Sequence, residues 1–177
     1  MYYQFSSQAK WMAKYAYKNK NVRYIYIKTD KEFIKEWNKL SKQSIHDIHL
    51  FLHGGPGKLY FKNSQIDLSQ INSKTFNKLS VSGKIYLFSC NGGTIFNKKI
   101  GKTHYYGSVA GYLAMLFYKV TVRAVVNGSV YYRAWNQLFS RRPLTKERGA
   151  YWADFRYTKM KGKRILVSSS IGRNWYL

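Results

Sequence analysis

The chain has one cysteine, two prolines and only seven acidic residues among 177. A single thiol, Cys90, excludes an internal disulfide framework and zinc sites built on cysteine pairs. So few prolines, with glycines scattered, exclude collagen-like and Pro-rich linker chains. No apolar run approaches the roughly 18 residues of a membrane-spanning helix. Lysines interrupt every apolar stretch of the first 23 residues, so no secretory signal peptide is expected. The chain is read as cytoplasmic, or exported by a route that needs no such signal.

Against the seven acids stand 31 Lys and Arg, a formal charge of +24. Such a chain concentrates anions around itself, whether nucleic acid, anionic lipid or acidic polypeptide. Tyrosines alternate with lysines, as in Lys14-Tyr15-Ala16-Tyr17-Lys18, a mixture that suits single-stranded nucleic acid. The plainer reading is a solvated lysine surface, which accounts for the lysines but not for the missing acids. No zinc-finger, bZIP or RRM pattern occurs. An 18% aromatic content excludes intrinsic disorder, and the length predicts a single domain.

The pattern along the chain alternates strands with helices. A short helix is expected near Ser7–Tyr17, and a β-branched, aromatic strand at Val22–Lys28. Thr29 and Glu32 form a capping box for a helix over Asp30–Ser41, with Phe33, Ile34, Trp37 and Leu40 at helical spacing. Ile48–Leu52 reads as a buried strand that ends at His53 and is broken by Gly54-Gly55-Pro56-Gly57. A short strand is expected at Lys58–Phe61 and a weak helix at Ser69–Leu79. Ile85–Ser89 is a second buried strand, ending at Cys90 and broken by Asn91-Gly92-Gly93. An amphipathic helix spans Tyr106–Phe117. Further strands are expected at Val120–Val126 and Ile165–Ser168, with a surface loop over 136–149. This order predicts an α/β fold, a three-layer α/β/α sandwich with a mostly parallel central sheet. One domain is expected over 1–177, with its core at about 20–133. A basic extension, 134–177, is expected to pack on the sheet or complete it.

In parallel sheets, ligands bind beyond the carboxyl ends of the strands. His53 and Cys90 both stand at such ends, so neighbouring strands would bring them to one crevice. A thiol with an imidazole beside it is the minimal equipment for acyl transfer. Glycines next to each let backbone N–H groups reach a substrate carbonyl. The bland reading of Cys90 is a small buried hydrophobe. His46, His49 and His53 invite a zinc site, but on one strand His46 and His53 point to opposite faces.

Two blocks carry a family resemblance. Ile48-His49-Leu50-Phe51-Leu52-His53-Gly54 resembles the strand–His–Gly block of caspase-like (clan CD) cysteine peptidases. Lys84-Ile85-Tyr86-Leu87-Phe88-Ser89-Cys90 resembles their strand ending in the nucleophile. The order is histidine first, 37 positions before the cysteine. The likeness is nearest to bacterial members, including the self-cleaving peptidase domains of large toxins, and spans about 20–133. It implies Cys90 as nucleophile and His53 as its base. It also implies the Gly54 and Cys90 N–H groups as oxyanion donors, and no metal or cofactor. A specificity pocket at strand ends would draw on Arg123, Asn127 and Arg133. The substrate would be a polypeptide, in a toxin, effector or defence setting. The chain departs from the family's Q-A-C-x-G block, with Phe88-Ser89-Cys90-Asn91-Gly92 instead, and shows no acid placed to orient His53. His53-Gly54-Gly55-Pro56-Gly57 also resembles the oxyanion segment of α/β-hydrolases, but Gly107-Ser108-Val109-Ala110-Gly111 is not their nucleophile elbow. The alternative is a non-enzymatic basic module that binds nucleic acid or another polyanion.

Overall fold

The computed structural model describes residues 6–18, 21–132, 143–144, 148–160 and 163–172. Helices α1 (Ser6–Ala16) and α2 (Asp30–Lys39) precede β1 (Ser44–Ile45), β2 (Ile48–Phe51), β3 (His53–Gly55), β4 (Lys58–Tyr60), β5 (Gln65–Asp67), β6 (Ser80–Val81) and β7 (Lys84–Phe88). Then come β8 (Phe96–Ile100), β9 (Thr103–Gly107), α3 (Val109–Leu116), β10 (Thr121–Val126), β11 (Tyr131–Tyr132), β12 (Pro143–Leu144), β13 (Tyr151–Met160) and β14 (Lys163–Gly172). The fold is mixed α/β with several sheets.

The largest sheet has five strands, in the order β14-β13-β10-β7-β2. β2, β7 and β10 run parallel, whereas β13 and β14 are antiparallel to their neighbours. The sheet is therefore evenly mixed in its pairings rather than mostly parallel. The reason lies in the C-terminal part, where the strand expected at Ile165–Ser168 is half of a ten-residue-per-arm hairpin. A short connection joins only antiparallel strands.

Alternation sorts the sheet's side chains onto two faces. Ile48, Leu50, Ile85, Leu87, Val122, Ala124, Ala153 and Phe155 face one core, which α2 and α3 cover with Phe33, Trp37, Val109 and Leu113. Phe51, Phe88, Val125 and Trp152 face the other way, against Ala9 and Met12 of α1. Helices thus lie on both faces. α2 begins as its sequence demands: the Thr29 side chain accepts the Glu32 N–H at 3.2 Å. The Glu32 carboxylate accepts one residue further back than a capping box requires, from the Lys28 N–H at 2.7 Å.

Other expectations are corrected. Val22–Lys28 is without regular structure: Ile27 is buried, but the segment joins no strand ladder among the described residues. Its alternation satisfies packing, while pairing is a separate requirement. Ser69–Leu79 holds one 3-10 turn, Leu68–Gln70, capped by Asp67. The helix expected from Tyr106 starts at Val109 behind the Ser108 N-cap, because 103–107 pair with β8 in a hairpin. The expected loop over 136–149 lies mostly outside the described residues.

Trp37 is 2% exposed and meets Phe33, Phe76 and Phe117 at ring-centroid distances of 5.4–5.7 Å. Its indole N–H donates to the Asn77 carbonyl at 3.2 Å, tying down a stretch without regular structure. Trp37→Ala is expected to cost about 3–5 kcal/mol, from lost burial and the remaining cavity. Urea unfolding measures this; a loss below about 1 kcal/mol would show that the aromatic cluster does not hold α2.

Candidate active site

The parallel pairing of β2 with β7 sets the site. Ile48 pairs with Ile85 and Phe51 with Phe88. The Leu52 N–H continues the ladder to the Phe88 carbonyl at 3.4 Å. His53 and Cys90 therefore each stand two residues beyond the Phe51–Phe88 pair, on adjacent strands at the same end. His53 is exposed, and Cys90 is a half-buried free thiol.

His53 does not lie in a simple turn. It opens β3, which folds back on β4 through Pro56-Gly57. Gly57 has φ +71, the left-handed conformation a type II turn needs after proline. A two-residue connection makes Gly55–Lys58 the closing hydrogen-bonded pair. By alternation Gly54–Leu59 is then a non-bonded pair, so the Gly54 N–H turns away from β4.

Gly54 sits directly on the Ser89–Cys90 segment that follows β7. A Cβ there would lie 2.8 Å from the Ser89 Cβ and Oγ and 2.9 Å from the Cys90 carbonyl oxygen. The Ser89 hydroxyl is enclosed, 1% exposed as a residue, and finds no hydrogen-bond partner among the described residues. Nothing in the sequence distinguished Ser89 from the end of an apolar strand.

The turn after Cys90 is pinned from several sides. Asn91 takes φ +56 and donates its N–H to the Gly128 carbonyl at 2.7 Å. The Gly93 N–H reaches the Val125 carbonyl at 2.8 Å. The Asn127 N–H donates to Thr94 Oγ1 at 2.6 Å. In the first turn of α3, the Ala110 N–H donates to the Gly92 carbonyl at 2.9 Å. The Cys90 turn, the Asn127 turn and the start of α3 thus form one hydrogen-bonded unit.

The sequence-derived pocket residues separate. Asn127 lies at this end of the sheet. Arg123 does not reach it: within β10 it pairs in register with Tyr86 and Asp154. Its Nε and Nη2 donate to the two oxygens of Asp154 at 2.7 and 2.9 Å, and Lys84 Nζ reaches the same carboxylate at 3.2 Å. Burial pushes the Asp154 carboxyl up, but Arg123 and then Lys84 outweigh it, and its pKa ends below the ordinary value. Arg133 lies outside the described residues.

Asp47 is equally occupied elsewhere. Its Oδ1 accepts the Lys84 N–H at 2.7 Å, and its Oδ2 accepts from the Tyr17 hydroxyl at 2.8 Å. Six strand residues, about 20 Å, separate it from His53. With its proton directed to Asp47, the Tyr17 oxygen accepts from His49 Nε2–H at 2.7 Å. His49 Nδ1 is then a buried acceptor with no partner. The ring also stacks beside Tyr86, at 4.5 Å between centroids. Burial lowers the His49 pKa to about 4, although Asp47 opposes the shift. Desolvation and the bond to Asp47 raise that of Tyr17. Among the described residues, no three His, Cys, Asp or Glu side chains converge as metal ligands would.

A family model described as a domain of unknown function (DUF4347) matches residues 9–97. That stretch runs from α1 to the start of β8 and contains both His53 and Cys90. No curated protein matches, and no solved structure does.

Two outcomes test this geometry. Gly54→Ala is expected to destabilise by about 1–3 kcal/mol, since backbone on one side cannot yield. Adding Ser89→Gly should recover part of that in denaturant melts, because it removes two of the three close contacts. His49 stays neutral in the fold to about pH 4 but takes up a proton near 6.5 when unfolded. Between those values the unfolded state binds more protons, so stability falls as pH drops from about 6.5 towards 4, by on the order of 3 kcal/mol. Melts at pH 7 and 4.5 measure this; in His49→Phe, which keeps the stacking, most of the slope should vanish.

Proposed function

This chain belongs to the DUF4347 family, and we propose that it is a cysteine peptidase with a Cys90/His53 dyad and a caspase-like site. One observation carries the reading: parallel, in-register pairing of β2 and β7 aligns His53 with Cys90 at the strand ends. The close seat of Gly54 on the Ser89–Cys90 backbone supports it, because a substrate carbonyl held at Cys90 would meet the Gly54 N–H. Helices on both faces of a sheet whose β2, β7 and β10 run parallel also support the caspase-like reading, with β13 and β14 as an antiparallel extension.

In the proposed reaction His53 takes the Cys90 proton, and the thiolate attacks the scissile carbonyl carbon. The C=O electron pair moves to oxygen, where the Gly54 and Cys90 N–H groups stabilise it. Collapse of this intermediate breaks the C–N bond, and His53 gives its proton to the leaving amine. Water, deprotonated by His53, then cleaves the thioester and restores the thiol. Asp47 is committed to Tyr17 and the Lys84 backbone, so the proposed mechanism runs on the dyad without a carboxylate as its third member. The substrate is a polypeptide, in trans or in the chain itself. Asn127 is the retained candidate for recognition of the residue before the cleaved bond, whereas Arg123 serves the sheet.

Iodoacetamide labelling against pH tests the dyad, alongside cleavage of fluorescent casein. The wild type should label faster than the unfolded chain, and His53→Ala should lose that advantage. Cys90→Ala should abolish cleavage, and His53→Ala should slow it by at least about 100-fold. Labelling indifferent to His53, with no cleavage, would reject the enzyme in favour of a non-catalytic basic module.

A further inference from the structure

We infer that the β8–β9 hairpin is a docking ribbon for single-stranded nucleic acid, its lysines on the phosphates and Tyr106 stacked on a base. The inference does not depend on the peptidase reading. The two strands pair antiparallel from Phe96–Gly107 to Ile100–Thr103, closed by Gly101-Lys102. Gly101 takes φ +59, and a Cβ there would meet nothing within 4 Å, so the tip stands clear of the rest of the fold.

The ribbon has two unlike faces. Phe96 and Tyr105 turn inward and pack against the main core. Phe96 also lies against Gly57 of the β3–β4 turn, where a Cβ would come within 2.6 Å of its ring. That contact roots the ribbon beside the His53 hairpin. Alternation puts the Asn97–Tyr106 and Lys99–His104 cross-strand pairs on the outer face. All four are exposed, Tyr106 at 65%. Lys98 and Lys102 are exposed as well. A large ring left in water beside cations is what a sequence-tolerant stacking platform requires.

The ribbon's own charge is all of one sign, with Lys98, Lys99 and Lys102 and no acid in 96–107. No Asp or Glu occurs between Asp67 and Glu147. The described carboxylates that make side-chain bonds make them elsewhere: Glu32 and Asp67 at helix starts, Glu36 with Lys39, Asp47 with Tyr17, and Asp154 with Arg123. Among the described residues, none forms an ion pair with Lys98, Lys99 or Lys102. Acidic polypeptide would use this charge equally well, but it has no use for the ring. The exposed tyrosine favours bases over carboxylates.

Fluorescence anisotropy with a labelled 20-nucleotide oligothymidine, in 50–200 mM salt, tests the inference on the whole chain. The triple variant Lys98→Glu/Lys99→Glu/Lys102→Glu should weaken binding at least about 10-fold and reduce the salt slope by about 2. A control triple on and just after α2, Lys31→Glu/Lys35→Glu/Lys42→Glu, changes net charge equally and should weaken it far less. Tyr106→Ala should weaken binding by about 5-fold or more, with binding of poly-glutamate unchanged. Circular dichroism and melting confirm that each variant is folded, and Cys90→Ala should bind as the wild type does. Equal losses in the two triples, or no loss in Tyr106→Ala, would overturn the assignment. So would poly-glutamate binding with the same affinity and the same dependence on Tyr106.

Discussion

The register between β2 and β7 is the constraint on which the rest of the site depends. Because side chains alternate along a strand, a slip of β2 by one residue against β7 would exchange the two faces of β2. Ile48 and Leu50 would leave the core under α2 and α3, and His49 and Phe51 would enter it. Apolar burial therefore enforces the register strongly. The same register sets His53 and Cys90 each two residues beyond the Phe51–Phe88 pair, so the core fixes the starting point of the proposed site.

A second constraint is the scarcity of acids. In a chain of +24, each carboxylate that reaches the interior or a helix start does a defined structural task. Asp154 holds Arg123 and Lys84 across three strands. Asp47 joins the β7 backbone to Tyr17, just beyond α1. Glu32 and Asp67 satisfy N–H groups at helix ends. What remains outside is a surface with little negative charge to screen its lysines. Its potential raises the local concentration of polyanions, and the ribbon adds an exposed ring to that field.

The two constraints act at different places. Cys90 and His53 lie where the sheet ends; the turn after Cys90 is held by hydrogen bonds of the Asn91, Gly93, Ala110 and Asn127 backbone, in which charge has no part. The ribbon leaves the same region through Thr94 and Ile95 and returns at Ser108, the cap of α3.

Much of this was legible in the residues themselves. Thr29 and Glu32 announce α2, and the apolar runs at Ile48, Ile85 and Val120 announce the three parallel strands. These signals are local: capping, periodicity and turn sterics act over a few residues. The sequence by itself also determined the charge, the single thiol, and a histidine and a cysteine each followed by glycines. Only tertiary structure decided which strands are neighbours, that Arg123 is spent on a carboxylate 31 residues away, and that Val22–Lys28 joins no sheet. It likewise turned Tyr151–Met160 and Lys163–Gly172 into an antiparallel edge and 96–107 into a ribbon. Pairing joins segments far apart in the chain, and its outcome depends on which faces can be buried together, a quantity no local window contains.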